Sequence, residues 1–266
     1  MALSAQSLIL YGYTIGVTNQ NLDFVAVSGG PPLTAVIPFG TYSLTTLMSE
    51  IVASLSTADT TSGNIYTVTA DRTVMGGTQN RVSITASNSS GAFLSLLFSS
   101  GPNASTSIAP VIGFNATDRT GNTTYTGNFT TGTVLIPSYI GYNYADQNQQ
   151  AKLQGAVNIS ASGLKESVVF NEQYFIDVEF KYEPKSNLAA WVAFRDWAIR
   201  QSPFDFTPEV SSPTIFSPVT LEKSAYGEKG MGFLMKEMLP DFPNEYTTGP
   251  LNFRVVLDYN QTVYIS

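Results

Sequence analysis

Residues 37–55, IPFGTYSLTTLMSEIVASL, place one amphipathic helix in a chain that otherwise reads as strand and turn. Leu44, Leu47, Met48, Ile51, Val52 and Leu55 recur at the three-and-four spacing that lines one side of a 3.6-residue helix, and the opposite side is Thr, Ser and Glu50. Ser43 suits the N-cap, because its hydroxyl can accept a backbone N–H that has no intrahelical partner. Tyr42 and Leu47 stand at the two positions of a hydrophobic staple. A helix of this length is marginal alone in water, so its apolar stripe must lie on another element. That element is expected to be a sheet.

The first half supplies candidates for it. Leu22, Asp23 and Phe24 lead an extended segment toward the turn Gly29-Gly30-Pro31-Pro32, after which the helix follows. Residues 65–70 and 81–86 (RVSITA, with Val82, Ile84 and Ala86 alternating) bracket Gly76-Gly77 as a hairpin. Residues 93–98 are equally compatible with a strand and a short helix.

The second half has longer alternating runs. Tyr174, Ile176, Val178, Phe180 and Tyr182 alternate with Phe175, Asp177, Glu179, Lys181 and Glu183, the period of a strand with one wet face. Leu251, Phe253, Val255, Leu257 and Tyr259 repeat the pattern. Between them, Asn187 can cap a helix over 188–200 that carries Trp191, Val192, Phe194, Trp197 and Ile199 and stops before Pro203. The fold class expected is α+β and β-dominated, with antiparallel sheets each packed by one helix.

Charge divides the chain. Residues 1–134 hold three of the 13 basic residues (Arg72, Arg81, Arg119) and five of the 20 acidic ones (Asp23, Glu50, Asp59, Asp71, Asp118). The remaining ten and fifteen lie in 135–266. Such a shift implies two units, 1–134 and 135–266, with the Gly/Thr/Asn-rich run 115–132 as the junction. The second unit is expected to fold without the first.

The same composition limits the chemistry. With no Cys and no His, disulfides, thiolate nucleophiles, Cys-ligated metals and the commonest general base are excluded. No phosphate-binding loop, EF-hand loop or nucleophile elbow is present, so no catalytic residue, cofactor or metal is assigned. A carboxylate pair is the remaining route to catalysis, as in glycosidases, and Asp196, Asp205 and Glu209 are its candidates. A net charge of −7 with a pI near 4.5 disfavours binding to a phosphate backbone, although an acidic wall suits a passage through which DNA moves without sticking. The N-terminal MALSAQSLILYGYTIG lacks the basic segment of a secretory signal, and no apolar run reaches the ~18 residues of a membrane span. Assembly in the cytosol, without a membrane, is expected.

Two segments stand out as assembly surfaces. Residues 227–249 include Met231, Phe233 and Met235, which fall on one side of a strand, while Met231, Leu234, Met235, Met238 and Leu239 fit a helix up to Pro240. Methionine-rich apolar surface adapts to imperfectly matched partners, which favours Met231, Phe233 and Met235 as contacts; burial in an ordinary core is the competing reading. Residues 147–154, with Gln149 and Gln150, read as an exposed loop or extended arm.

Residues 37–55, YTVTADRT, RVSITA and SIAPVIGFNATD together resemble a recurrent module of viral structural proteins. The second half, through VEFKYEP, WVAFRDWAIRQSPFDFTPE, LEKSAYGEKGMGFLMKEMLP and LNFRVVL, resembles tail proteins of long-tailed bacteriophages, nearest to the distal tail (baseplate hub) family with its tail-tube-like fold. The resemblance implies a tail-tube-like sandwich or split barrel. It also implies a non-enzymatic virion protein of the tail that forms a homo-oligomeric ring, usually a hexamer, beside tail tube and tail-tip hub proteins. A polar, nearly uncharged Thr/Ser/Asn surface suits solvent exposure, so residues 1–134 are expected to face outward while 135–266, with long strands and the Met-rich segment, carry assembly. A tail tube subunit is a second possibility. A carbohydrate-binding spike or adhesin is a third, prompted by the run TYTGNFTTGTVLIPSYIGYNY.

Overall fold

The computed structural model describes residues 7–71, 80–137, 149–159, 165–180, 183–208, 215–224, 227–228, 236–237, 245–247 and 250–255. The chain forms two compact units: Leu10–Thr133, and Met1–Ile9 together with Val134–Ser266. The sequence boundary near 134 therefore marks only one of two crossings. The first unit is an insertion, and the second begins before it.

Strand β1 (Leu8–Tyr11) is followed, in the inserted unit, by β2 (Tyr13–Ile15), β3 (Asn21–Val25), β4 (Leu33–Val36), β5 (Gly40–Tyr42), α1 (Leu44–Ala58), β6 (Ile65–Ala70), β7 (Val82–Ser87), β8 (Ser95–Leu96) and β9 (Thr124–Thr126). The chain then continues through β10 (Thr133–Leu135), β11 (Gln149–Ile159), β12 (Lys165–Glu179), β13 (Glu183–Pro184), α2 (Leu188–Ala198), β14 (Phe204–Thr207), β15 (Phe216–Ser224), β16 (Gly227–Glu228), β17 (Lys236–Glu237), β18 (Glu245–Thr247) and β19 (Pro250–Val255). The architecture is β-dominated α+β with several antiparallel sheets.

In the inserted unit, α1 starts where the sequence places it. Ser43 Oγ accepts from Thr46 N, and Thr46 Oγ1 accepts from Ser43 N, so two orphan donors of the first turn are satisfied reciprocally. Leu44, Leu47, Ile51 and Leu55 are buried on the helix face that packs against β4 and β6. They meet a core that includes Leu22, Phe24, Ala35 and Tyr66, with the Phe24 and Tyr66 rings edge-to-face at 5.9 Å. The β6–β7 hairpin pairs Val68 with Ile84; Val82, Ile84 and Ala86 point inward, and on the other face Ser83 and Thr85 bond to Thr126 and Thr124 across to β9. Residues 93–98 resolve as the two-residue strand β8, paired with β3. The run 115–132 is not a linker: it carries β9 and the buried Tyr125, because Thr-rich sequence packs as readily in a sheet as it loops.

The insertion leaves and returns through adjacent backbone. A Cβ on Gly12 would lie 3.1 Å from Thr133 Oγ1, and Gly12 takes a φ of +99°, which an L side chain rarely adopts. Gly132, with φ +70°, lies against the Tyr13 ring so closely that any side chain would run into it. Tyr13 itself is fully buried and its hydroxyl donates to Thr131 O at 2.9 Å. Neighbouring chain ends of this kind are what a tolerated domain insertion needs.

The second unit is built on an eight-stranded sheet with the order β10-β1-β14-β15-β19-β12-β11, and β16 pairs with β15 off that path. Because β1 lies between β10 and β14, residues 135–266 alone lack an internal strand of their own sheet. The expectation that they fold without residues 1–134 thus meets a sheet that β1 helps to build. α2 ends two residues earlier than expected, and the Asn187 side chain does not cap it: its amide donates to Glu183 at 3.2 Å, and a 3₁₀ turn over Lys185–Asn187 leads into the helix. Trp191 and Phe194 are buried, whereas Trp197 is half-buried with its Nε1 donating to Pro203 O at 3.0 Å. Rings of Phe180, Trp191, Phe194, Phe204, Phe206 and Phe253 interlock with centroids 5.0–6.3 Å apart. β13, β18 and β17 form a separate three-stranded sheet.

Candidate assembly surface

Among the described residues, strand β11 forms one edge of the eight-stranded sheet, and it is eleven residues long. An edge strand of that length presents a row of backbone donors and acceptors with no partner on its outer side. Gln149 and Gln150 stand at its beginning, in register with Ile176 and Phe175 of β12. Residues 149–154 are thus paired strand rather than loop. The period-two pattern Ala151, Leu153, Gly155, Val157, Ile159 is the signal that announces it, masked by the glutamines around it.

β11 pairs with β12 from Ile176 back to Lys165, and among the described residues β19 pairs with β12 over Tyr174–Glu179. From Lys152↔Gln173 to Ile159↔Lys165, eight register pairs make up a β11–β12 ribbon. The register shifts at Gln154/Gly155, where Phe170 has no opposite residue, so the ribbon carries a bulge that bends and twists it.

The second expected segment is mostly beyond reach. Met231, Phe233 and Met235 lie outside the described residues; Lys236 and Glu237, directly after them, form β17 and pair with Thr247 and Tyr246 of β18.

The candidate carboxylates stand in different surroundings. Asp196 is exposed and bound to its neighbour Arg195 at 2.8 Å. Asp205 is fully buried on β14 and accepts from Ser217 Oγ. Glu209 lies outside the described residues. A carboxylate that sequence reasoning overlooked, Glu183, is fully buried and accepts from Trp191 Nε1 at 3.1 Å as well as from Asn187. Asp205 and Glu183 are each held by their own donors inside packed surroundings, which is how a folded core accommodates a carboxylate. Among the described residues no three metal-ligating side chains come together. Tyr125, from the run that prompts a carbohydrate-binding reading, is 7% exposed and donates its hydroxyl to Leu94 O at 2.9 Å, so its ring offers no stacking face.

Two acidic groups of the inserted unit have displaced pKa values. Although burial raises it, the Asp118 carboxyl is drawn down to about 2 by hydrogen bonds from Ser99 and Ser100. Asp59, following α1, is also lowered: burial opposes the shift, and bonds from Ser62, Tyr66 and Thr61 outweigh it. Both act as loop anchors. No helix among the described residues is long and apolar enough to cross a membrane. No protein-family model matches the chain, and no curated protein is significantly similar to it.

Proposed function

We propose that the protein is a structural subunit of a bacteriophage tail, assembling as a homo-oligomeric ring at the distal tail or baseplate through which DNA passes. The observation that carries this reading is the β11–β12 ribbon. The long edge of β11, which no other strand among the described residues covers, is a template for pairing with another chain. A neighbouring subunit in a closed ring supplies that cover at every position without leaving a free end. The resemblance of residues 165–258 to distal tail proteins points the same way. The excess of acidic residues in 135–266 suits a lumen that repels the DNA backbone.

The test is mass photometry of the purified full chain, alone and with a tail tube partner, together with electron cryomicroscopy of virions. A ring of defined subunit number near the tail tip is the expected result. A stable monomer absent from virions contradicts the proposal. Density along the tube shaft would favour the tube subunit instead, and competable binding on a glycan array would favour an adhesin. A variant in which residues 154–171 are replaced by a two-residue turn keeps the sheet below the ribbon and is expected to remain a folded monomer.

A further inference from the structure

In the inserted unit, β4 is the edge of the sheet β4-β3-β8, and α1 runs beside it. Between them lies a cleft of about 330 Å³ lined by Thr34, Val36, Glu50, Ala53, Ser54 and Thr57 together with Pro38 and Ala58. That volume sits at the small end of ligand-binding clefts.

The ladder shows which backbone groups face this cleft. In an antiparallel pair alternate residues direct N–H and C=O toward the partner strand, and the residues between direct theirs away. Ile37 N donates to Gln20 O, so Ile37 bonds inward to the β3 side. On β3, Asn21 O accepts from Ile108 N and Asp23 O accepts from Leu97 N, so both residues bond away from β4. Their partners in register are Val36 and Thr34. Thr34 and Val36 therefore turn their backbone groups to the open side. Ser54 Oγ already donates to Val36 O at 3.1 Å. Thr34 N–H, Thr34 C=O and Val36 N–H are left with no partner among the described residues.

The side chains around these three groups define what fits. Val36 is 54% exposed, and with Pro38, Ala53 and Ala58 it gives the cleft an apolar lining suited to small side chains. Glu50 lines the same cleft, and no cation pairs with it among the described residues. Its charge is felt locally: the Tyr42 phenol is raised above its ordinary range by burial and by Glu50. Pro31, Pro32 and Pro38 flank β4 and offer no N–H, which confines strand pairing to a window of four residues.

We infer that this cleft is a recognition site for an extended peptide segment of another protein, which adds a short strand to β4 and places a Lys or Arg side chain against Glu50. Main-chain bonds to Thr34 and Val36 supply the attachment, and alternate side chains supply the selectivity, as in other strand-addition sites. The site is independent of the ribbon and of the ring.

The test uses the full chain, isotope-labelled for amide NMR, and the synthetic peptide Ac-TVTKVTV-NH2 with two derivatives, each N-methylated at alternate residues in one of the two registers. Shifts confined to Thr34, Val36 and the Ala53–Thr57 face, retained by one derivative and weakened about tenfold or more in the other, are expected. Glu50→Lys is expected to weaken the lysine peptide about threefold to fivefold and to strengthen its glutamate counterpart, while leaving the amide spectrum folded. No shifts with any peptide, shifts elsewhere, or equal effects of both N-methylated derivatives overturn the inference. Concentration-dependent shifts at Thr34 and Val36 without peptide also overturn it, by making a second copy of the chain the occupant.

Discussion

The two units solve the same problem with different chemistry. Residues 134–266, with β1, bury a continuous set of aromatic rings under long strands. The inserted unit has strands of two to six residues, and its loops leave many backbone groups that no ladder can satisfy. Polar side chains take them up. Asp23, 3% exposed, accepts from Asn103 N at 2.6 Å, from Asn103 Nδ2 at 3.1 Å and from Thr34 Oγ1 at 2.7 Å. Asn64 donates to both Ala26 O and Phe93 O, and Tyr13 to Thr131 O. The Thr/Asn/Ser richness that reads as a solvated surface is in part an internal scaffold.

The difference is open to attack by mutation. In the aromatic unit Phe204→Ala or Phe253→Ala is expected to cost about 3–5 kcal/mol, read as a shift of the urea midpoint, because each removes a fully buried ring from an interlocked set. In the inserted unit Leu47→Ala or Ile51→Ala is expected to cost about 2–5 kcal/mol. Unchanged midpoints would show that the helix face is not buried as described. Asp23→Ala, which leaves Asn103 N–H and Thr34 Oγ1 unanswered, is expected to cost about 1–3 kcal/mol, whereas a surface carboxylate would cost almost nothing. Ser43→Ala is expected to cost about 1 kcal/mol through the lost cap, and exposed Ser56→Ala less than about 0.5 kcal/mol.

Acid separates the units more gently. Asp118 and Asp59 have folded pKa values below those of an unfolded chain, so their contribution is complete above about pH 4 and fades as pH falls, through about 2 for Asp118. Amide exchange in the loops they anchor is expected to rise first on acidification. In Asp118→Asn that part of the pH dependence should vanish around Ser99 and Ser100; its persistence would place the acid sensitivity elsewhere.

Much of the fold is legible in the sequence wherever one element carries its own periodicity. Helix α1 with its cap, the β6–β7 hairpin, β12 and the Leu251–Phe253 alternation of β19 all follow local patterns. What the sequence conceals is non-local. Leu8–Tyr11, LILY, is a short apolar run with no feature that names β14 as its partner, so the insertion cannot be read from it. Tyr174 fits the apolar alternation yet is 36% exposed, while Phe175, on the side expected to be wet, is buried. The candidate surface divides in the same way: its strand is written in the alternation of residues 151–159, but its place in the sheet is set by the order of the other strands.

The insertion is the claim on which the rest depends, and one comparison tests it most directly. Thermal unfolding is measured for a chain in which residues 12–132 are replaced by a short Gly-Ser turn, and for a chain lacking residues 1–134. The first keeps β1 and β10 and is expected to unfold cooperatively; the second loses β1 from inside its sheet and is expected not to fold. A cooperative transition in the chain lacking 1–134, as stable as in the chain with the excision, would contradict the account.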